Sequence, residues 1–214
     1  MNMHQLIPVI ENKKVLEVGG PSELLHSLYA KMESISLLNH SESKEAHSYY
    51  MNPINTIDVY DGDAAENGIF EKYNLFEKFE VIITSHTLEH IANPIKALEI
   101  WKKCLVPEGK IITIVPNKEE CWDRVREDTS NEHLLQDYLN DTLEDDMTHV
   151  HESSCMPRPN YYEEVGESNS KRIIHQHIFS IENLKFVHEH LDFITEECYI
   201  DDNDKLQMIY IGKK

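Results

Sequence analysis

Three groupings of side chains in this 214-residue chain have types and spacings suited to chemistry. The first is Glu17-Val-Gly-Gly20, an acid beside paired glycines at the end of an apolar run. The second is Ser85-His86, followed by Glu89 and His90. The third is late and dispersed: His133, Asp145 and Asp146 with His149, and His175 with His177. Imidazole titrates near neutrality, so a histidine in an open site can take or hold a proton. Imidazoles gathered with a carboxylate can instead hold Mn²⁺, Fe²⁺ or Zn²⁺, which acidifies a bound hydroxyl. On a helix, Asp145 (i,i+4) or Asp146 (i,i+3) shares a face with His149. On an extended segment, His175 and His177 point to the same side. The metal-ligand candidates are therefore His133, Asp146, His149, His175 and His177. An acidic solvated helix with surface histidines is the competing explanation. Arg124, Arg126, Arg158 and Arg172 fall in the same region. They offer bidentate clamps for an anionic acceptor, or plain surface ion pairs.

The elements that must position these groups follow from periodicity. Residues 13–18 read as a first strand. Residues 22–32 are expected to form a helix, with Leu24, Leu25, Leu28 and Met32 near one face. A buried strand that breaks at glycine and re-enters as a helix leaves backbone N–H groups around an open crevice, where nucleotide-like ligands bind. A turn with no ligand gives the same local pattern. Residues 34–39, 56–60, 80–85 and 110–115 read as further strands, the last two rich in β-branched residues. Between them, Asn93 suits an N-cap and Pro94 a first helical position, before Ile95, Leu98, Trp101 and Leu105 at helical spacing. Strand, helix, strand in that order implies a right-handed parallel crossover.

From about residue 117 to 172 the pattern breaks into a polar, acidic, histidine-bearing stretch. Thr129-x-x-Glu132 reads as a capping box before a helix through Tyr138. A second short helix is expected over residues 142–152, and a loop over 153–170. Residues 175–179 look extended, and Ser180 caps a helix carrying Ile181, Leu184, Val187 and Leu191. Two closing strands, 193–200 and 206–211, flank the turn-rich Asp201-Asp-Asn-Asp204, which makes them antiparallel. The expectation is a single α/β domain over 1–214. It has a Rossmann-like, mostly parallel sheet, a C-terminal antiparallel hairpin and a helical insertion.

Composition narrows the class of partner. A net charge of −19 repels phosphate backbones, which argues against nucleic acid. No apolar run is long enough to cross a bilayer, and the N-terminus lacks the pattern of a secretory signal. The four cysteines, Cys104, Cys121, Cys155 and Cys198, form no Cys-x-x-Cys pair. That pattern fits a reducing, cytoplasmic setting.

Val15-Leu-Glu-Val-Gly-Gly20, Val81-Ile-Ile-Thr-Ser-His-Thr-Leu-Glu-His-Ile91 and Leu105-Val-Pro-Glu-Gly-Lys-Ile-Ile-Thr-Ile-Val115 together resemble class I S-adenosylmethionine-dependent methyltransferases. The likeness covers about residues 13–116 and 173–213. Within the insertion, Glu144-Asp-Asp-Met-Thr-His149 and Ile174-His-Gln-His-Ile-Phe179 resemble a bacterial subgroup associated with surface (capsule) polysaccharide, including capsule phosphoramidate-modifying methyltransferases. The resemblance implies S-adenosyl-L-methionine as cofactor and a small polar or anionic acceptor. It places Glu17 near the cofactor ammonium and Gly19 and Gly20 under its backbone. Asn39 takes the ribose position, where an acid is usual. Asp63 and Ala64 are placed at the adenine, and Ser85 and His86 beside the methyl-transfer region. His86, His149 and His177 are the catalytic candidates. An acceptor hydroxyl needs a base or a metal such as Mn²⁺, whereas an acceptor that is already an oxyanion needs only positive charge. Two rivals are a binding protein of this fold without turnover and a nicotinamide-dependent dehydrogenase. The absence of Gly-x-Gly-x-x-Gly disfavours the latter.

Overall fold

The computed structural model describes residues 3–39, 55–149, 152 and 174–214. Seven strands form one sheet in the order β3-β2-β1-β4-β5-β7-β6. They are β1 (Lys14–Val18), β2 (Ser34–Asn39), β3 (Thr56–Asp61), β4 (Phe79–Ser85), β5 (Leu105–Pro116), β6 (Ile194–Ile200) and β7 (Gln207–Lys213). The first five are parallel, and β7 runs antiparallel to both β5 and β6. This is the expected Rossmann-like sheet with its closing hairpin. The chain runs outward from β1 through β2 to β3, then returns to place β4 on the other side of β1. The β1/β4 boundary is thus a topological switch point, where the carboxyl ends of strands leave a crevice. Val18 pairs with both Leu38 and Thr84. Gly19, Asn39 and Ser85 therefore emerge together at that edge.

Two apolar clusters cover the two faces of the sheet. Leu16, Val18, Ile82 and Trp101 belong to one; Val15, Val81, Ile83, Leu25 and Tyr29 belong to the other. The alternation follows from the period of two along a strand. It also assigns Glu17, in step with Val15, to the second face, where the residues after β1 bury it completely.

Five α-helices are described: α1 (Ile7–Ile10), α2 (Asn67–Lys72), α3 (Pro94–Cys104), α4 (Asn131–Leu139) and α5 (Ile181–Glu189). Asn93 caps α3 by accepting from the Lys96 N–H at 3.1 Å, and Ser180 and Asn183 form a capping box on α5. The cap of α4 is Ser130, whose hydroxyl accepts from His133 N–H. Thr129 accepts from the Ile178 N–H instead, so the capping box expected from Thr129 and Glu132 does not form and the cap falls one residue later.

The helix expected over 22–32 does not form; 3₁₀ turns occupy Glu23–Leu25 and Tyr29–Lys31. The segment's carbonyls have outside partners. Asn55 Nδ2 donates to the oxygens of Tyr29 and Met32, and the Asn12 N–H to that of Lys31. Leu25, Leu28, Tyr29 and Met32 still reach the core, so apolar spacing was served without α-helical bonding. Residues 142–149 of the second expected insertion helix are turns and irregular backbone. The 153–170 loop, Arg158 and Arg172 lie outside the described residues. No helix among the described residues is long and apolar enough to cross a membrane.

Candidate functional site

The crevice after β1 is shaped by glycine. Gly19 has φ +86°, and a Cβ there would lie 1.9 Å from Thr87 Oγ1. Only glycine takes this backbone without strain and permits the approach of the Thr87 turn. A Cβ on Gly20 would lie 2.1 Å from the Glu17 carboxyl carbon. The Glu17 side chain is turned into the loop that follows β1. It accepts from Ser22 N–H at 2.9 Å, Ser22 hydroxyl at 2.6 Å and Tyr29 hydroxyl at 2.8 Å. Burial pushes its pKa up to about 7, against the lowering effect of those donors. The expected ammonium contact is corrected here: Glu17 braces the loop that forms the crevice wall.

Asn39, at the end of β2, donates from Nδ2 to Gly20 O at 2.8 Å. An aspartate could not make that bond, since an ionised carboxylate has no donor. Asp63 accepts from Ala65 N–H at 2.8 Å, an Asx turn. The neighbouring Ala64 carbonyl accepts from the Trp101 indole at 2.8 Å. Ser85 ends β4, buried at the crevice edge. His86 follows with φ 51°. Its Nε2 lies 2.7 Å from Gln207 Oε1 and its Nδ1 3.4 Å from Glu89. Burial opposes its charge, but Glu89, Gln207 and Asp204 together hold its pKa above the ordinary value.

The dispersed histidines converge, but in two groups rather than one. His133, His149 and His177 form the first. His133 Nε2 lies 3.0 Å from His149 Nε2 and 3.2 Å from Asp137 Oδ2. His177 Nε2 lies 3.7 Å from the same oxygen and 3.0 Å from Ala92 O. His149 Nδ1 pairs with Glu152 at 3.0 Å. The carboxylate of this group is Asp137, one turn along α4 from His133. Asp146 instead accepts from the N–H and hydroxyl of Thr148, because the chain there is a turn and not a helix. His175 is also corrected: its Nδ1 contacts Asp123, and it joins Glu89 and His90 in the second group. Burial lowers the His177 pKa to about 3. Its ring is therefore neutral at pH 7 and a poor base.

A cavity of about 600 Å³ adjoins the first group, with Arg126, Asp128, Ser130, His133, His149 and Glu152 among its walls. Arg126 is not a free clamp: it donates to Asp123 at 3.1 Å, His175 O at 2.8 Å and Glu152 at 3.0 Å. Arg124 is exposed. The segment 86–93, which leaves β4 at the crevice, holds both groups. Glu89 O accepts from His177 N–H, Ala92 N–H donates to Glu144, and Asn93 donates to Asp137 O. Asp137, Glu152 and Asp123 are not singled out by the sequence pattern. The i,i+4 spacing of His133 and Asp137 and the i,i+3 spacing of His149 and Glu152 were the available signals.

A switch-point crevice walled by glycines, with polar groups gathered beyond it, defines a doubly wound α/β protein of the cofactor-binding kind. Residues 4–195 match the model of a methyltransferase domain, and the chain belongs to that family. This match displaces the dehydrogenase alternative. The fold is that of solved S-adenosylmethionine-dependent methyltransferases. One from Mesorhizobium loti is 10% identical with a TM-score of 0.58, covering 99% of this chain and 95% of the other. One from Aquifex aeolicus is 13% identical with a TM-score of 0.57, covering 99% and 87%. One from Archaeoglobus fulgidus is 15% identical with a TM-score of 0.56, covering 99% and 91%. No curated protein sequence matches significantly.

Proposed function

We propose that this chain transfers a methyl group from S-adenosylmethionine to an oxygen of a small polar acceptor. The acceptor class is a sugar, or a phosphorylated or phosphoramidate precursor of a surface glycan. The single observation behind this reading is the segment 86–93. It begins at the crevice mouth with His86 and ends bonded to the three-imidazole group beside the cavity. Methyl transfer from a sulfonium is an in-line displacement, so its main demand is alignment of donor and acceptor. A rigid segment joining a cofactor crevice to an acceptor cavity meets that demand. The glycan assignment rests on the sequence resemblance of the insertion.

Gly19, Gly20, Asn39, Asp63, Ala64, Ser85 and His86 form the cofactor side of this reading, with Glu17 as support. His133, His149 and His177, with Asp137 in place of Asp146, form the acceptor side. The residues fit a divalent transition ion. Asp137 Oδ2 and His177 Nδ1 are buried without hydrogen-bond partners. Two imidazole nitrogens 3.0 Å apart match the spacing of ligands around one ion, given metal–nitrogen bonds of about 2.0–2.1 Å. A bound ion such as Mn²⁺ would supply Lewis acidity to an acceptor oxygen. The protein's own part is to hold His149 through Glu152 and to keep His177 neutral.

The test is release of demethylated cofactor over a panel of sugars, sugar nucleotides and phosphorylated metabolites, with and without chelator and added Mn²⁺. Turnover of at least one acceptor is expected, lost in His133→Ala and His149→Ala while cofactor binding persists. Absence of S-adenosylmethionine binding by calorimetry refutes the cofactor reading. Full activity in both variants refutes the acceptor site. Binding without turnover on any acceptor favours the non-enzymatic rival, which the internally satisfied Asn39 and Glu17 keep in play.

A further inference from the structure

Glu89 presents an unusual arrangement. Its side chain is 1% exposed, and neither carboxylate oxygen has a hydrogen-bond partner. The nearest nitrogens are His86 Nδ1 at 3.4 Å and His90 Nε2 at 3.9 Å. A buried carboxylate normally collects donors. This one faces ring nitrogens at distances too long for good hydrogen bonds.

Two rings grouped with Glu89, those of His90 and His175, are oriented from behind. His90 Nδ1 lies 2.9 Å from Ile174 O, and His175 Nδ1 contacts the Asp123 carboxylate. Asp123 is itself buried and held by Arg126. Each ring thereby keeps Nε2 as its remaining ligand atom. A carbonyl or carboxylate on the far nitrogen is how metal-ligating histidines are fixed in tautomer and direction. The rings stand 4.8 Å apart at 77°. The three ligand atoms lie within 4.8 Å of one another.

We propose that Glu89, His90 and His175 form a second divalent transition-metal site, beside His86 and separate from the three-imidazole group. Two nitrogens and one carboxylate oxygen leave coordination positions open for water or an acceptor oxygen. His175 and His177 diverge into the two groups, and Arg126 joins the outer carboxylates Asp123 and Glu152 that orient one ligand of each. The site is measurable without cofactor or acceptor, so it stands apart from the methyl-transfer reading.

The experiment is a Zn²⁺ titration of the chelator-stripped full chain against a chromophoric competitor. Wild type is expected to show a tight equivalent that survives in the His133→Ala/His149→Ala double variant. The same equivalent should weaken at least ~100-fold in Glu89→Gln and in His175→Ala, and ~10–100-fold in Asp123→Asn, which touches only the orienting carboxylate. Circular dichroism and a melting curve verify folding. If Glu89→Gln does not fold, His175→Ala, whose side chain is 26% exposed, gives the same readout. Wild-type affinity in a folded Glu89→Gln or His175→Ala overturns the proposal. So does loss of all tight binding in the His133→Ala/His149→Ala variant.

Discussion

Glu17→Gln probes the crevice wall directly. Glu17 is fully buried on the face that β1 shares with Leu25 and Tyr29, and its pKa is raised from 4.5 to about 7. Below pH 4.5 the group is protonated in both the folded and unfolded chains and has no effect on the balance. Between 4.5 and about 7 the unfolded chain has lost the proton that the folded chain still holds, so stability falls as pH rises. Above about 7 both forms are ionised and the loss is complete. At about 1.4 kcal/mol per tenfold change in proton affinity, the whole effect is roughly 3 kcal/mol. Glutamine keeps the volume and an acceptor oxygen, and cannot titrate. Urea unfolding of both proteins at pH 5 and pH 8 isolates the term, because every other titrating group cancels in the difference. The stability of Glu17→Gln relative to wild type should improve by roughly 2–3 kcal/mol between the two values. An unchanged difference would show that Glu17 is ionised throughout, and would return it to a ligand-facing role.

Gly19→Ala must adopt a φ of +86° with its Cβ against Thr87. A cost of ~1–2 kcal/mol for the left-handed backbone alone is expected, with loss of S-adenosylmethionine binding by calorimetry. Asn39→Asp removes the donor to Gly20 O and sets a carboxylate against that carbonyl. Cofactor affinity should fall, and a gain in titration would restore the usual ribose-binding role to this position. Asn93→Ala removes both the α3 cap and the tie to Asp137 O. It should lower the unfolding free energy by ~1–2 kcal/mol in chemical denaturation.

Most of the scaffold is written locally in the sequence. Runs such as residues 80–85 and 110–115 read as strands because β-branched residues buried on both faces suit little else. Asn93 with Pro94, and Ser180, mark helix starts because a cap is made within three residues. Failures came where a local pattern had distant competitors. The apolar spacing of residues 22–32 was correct about burial and wrong about helix, since Asn12 and Asn55 supply the hydrogen bonds that α-helical geometry would have made internally.

The chain alone determined the strand order's ingredients, the glycine turn after β1 and the gathering of histidines in its later third. Periods of two and 3.6 residues and the limits on backbone dihedrals are properties of neighbours, and they need no fold to be read. Tertiary structure decided which groups meet. It turned Glu17 inward against Tyr29, drew Asp137 rather than Asp146 to the imidazoles, and sent His175 and His177 to different partners. Each of those outcomes depends on where packed elements place atoms to within an ångström or two, and residue spacing carries no such information.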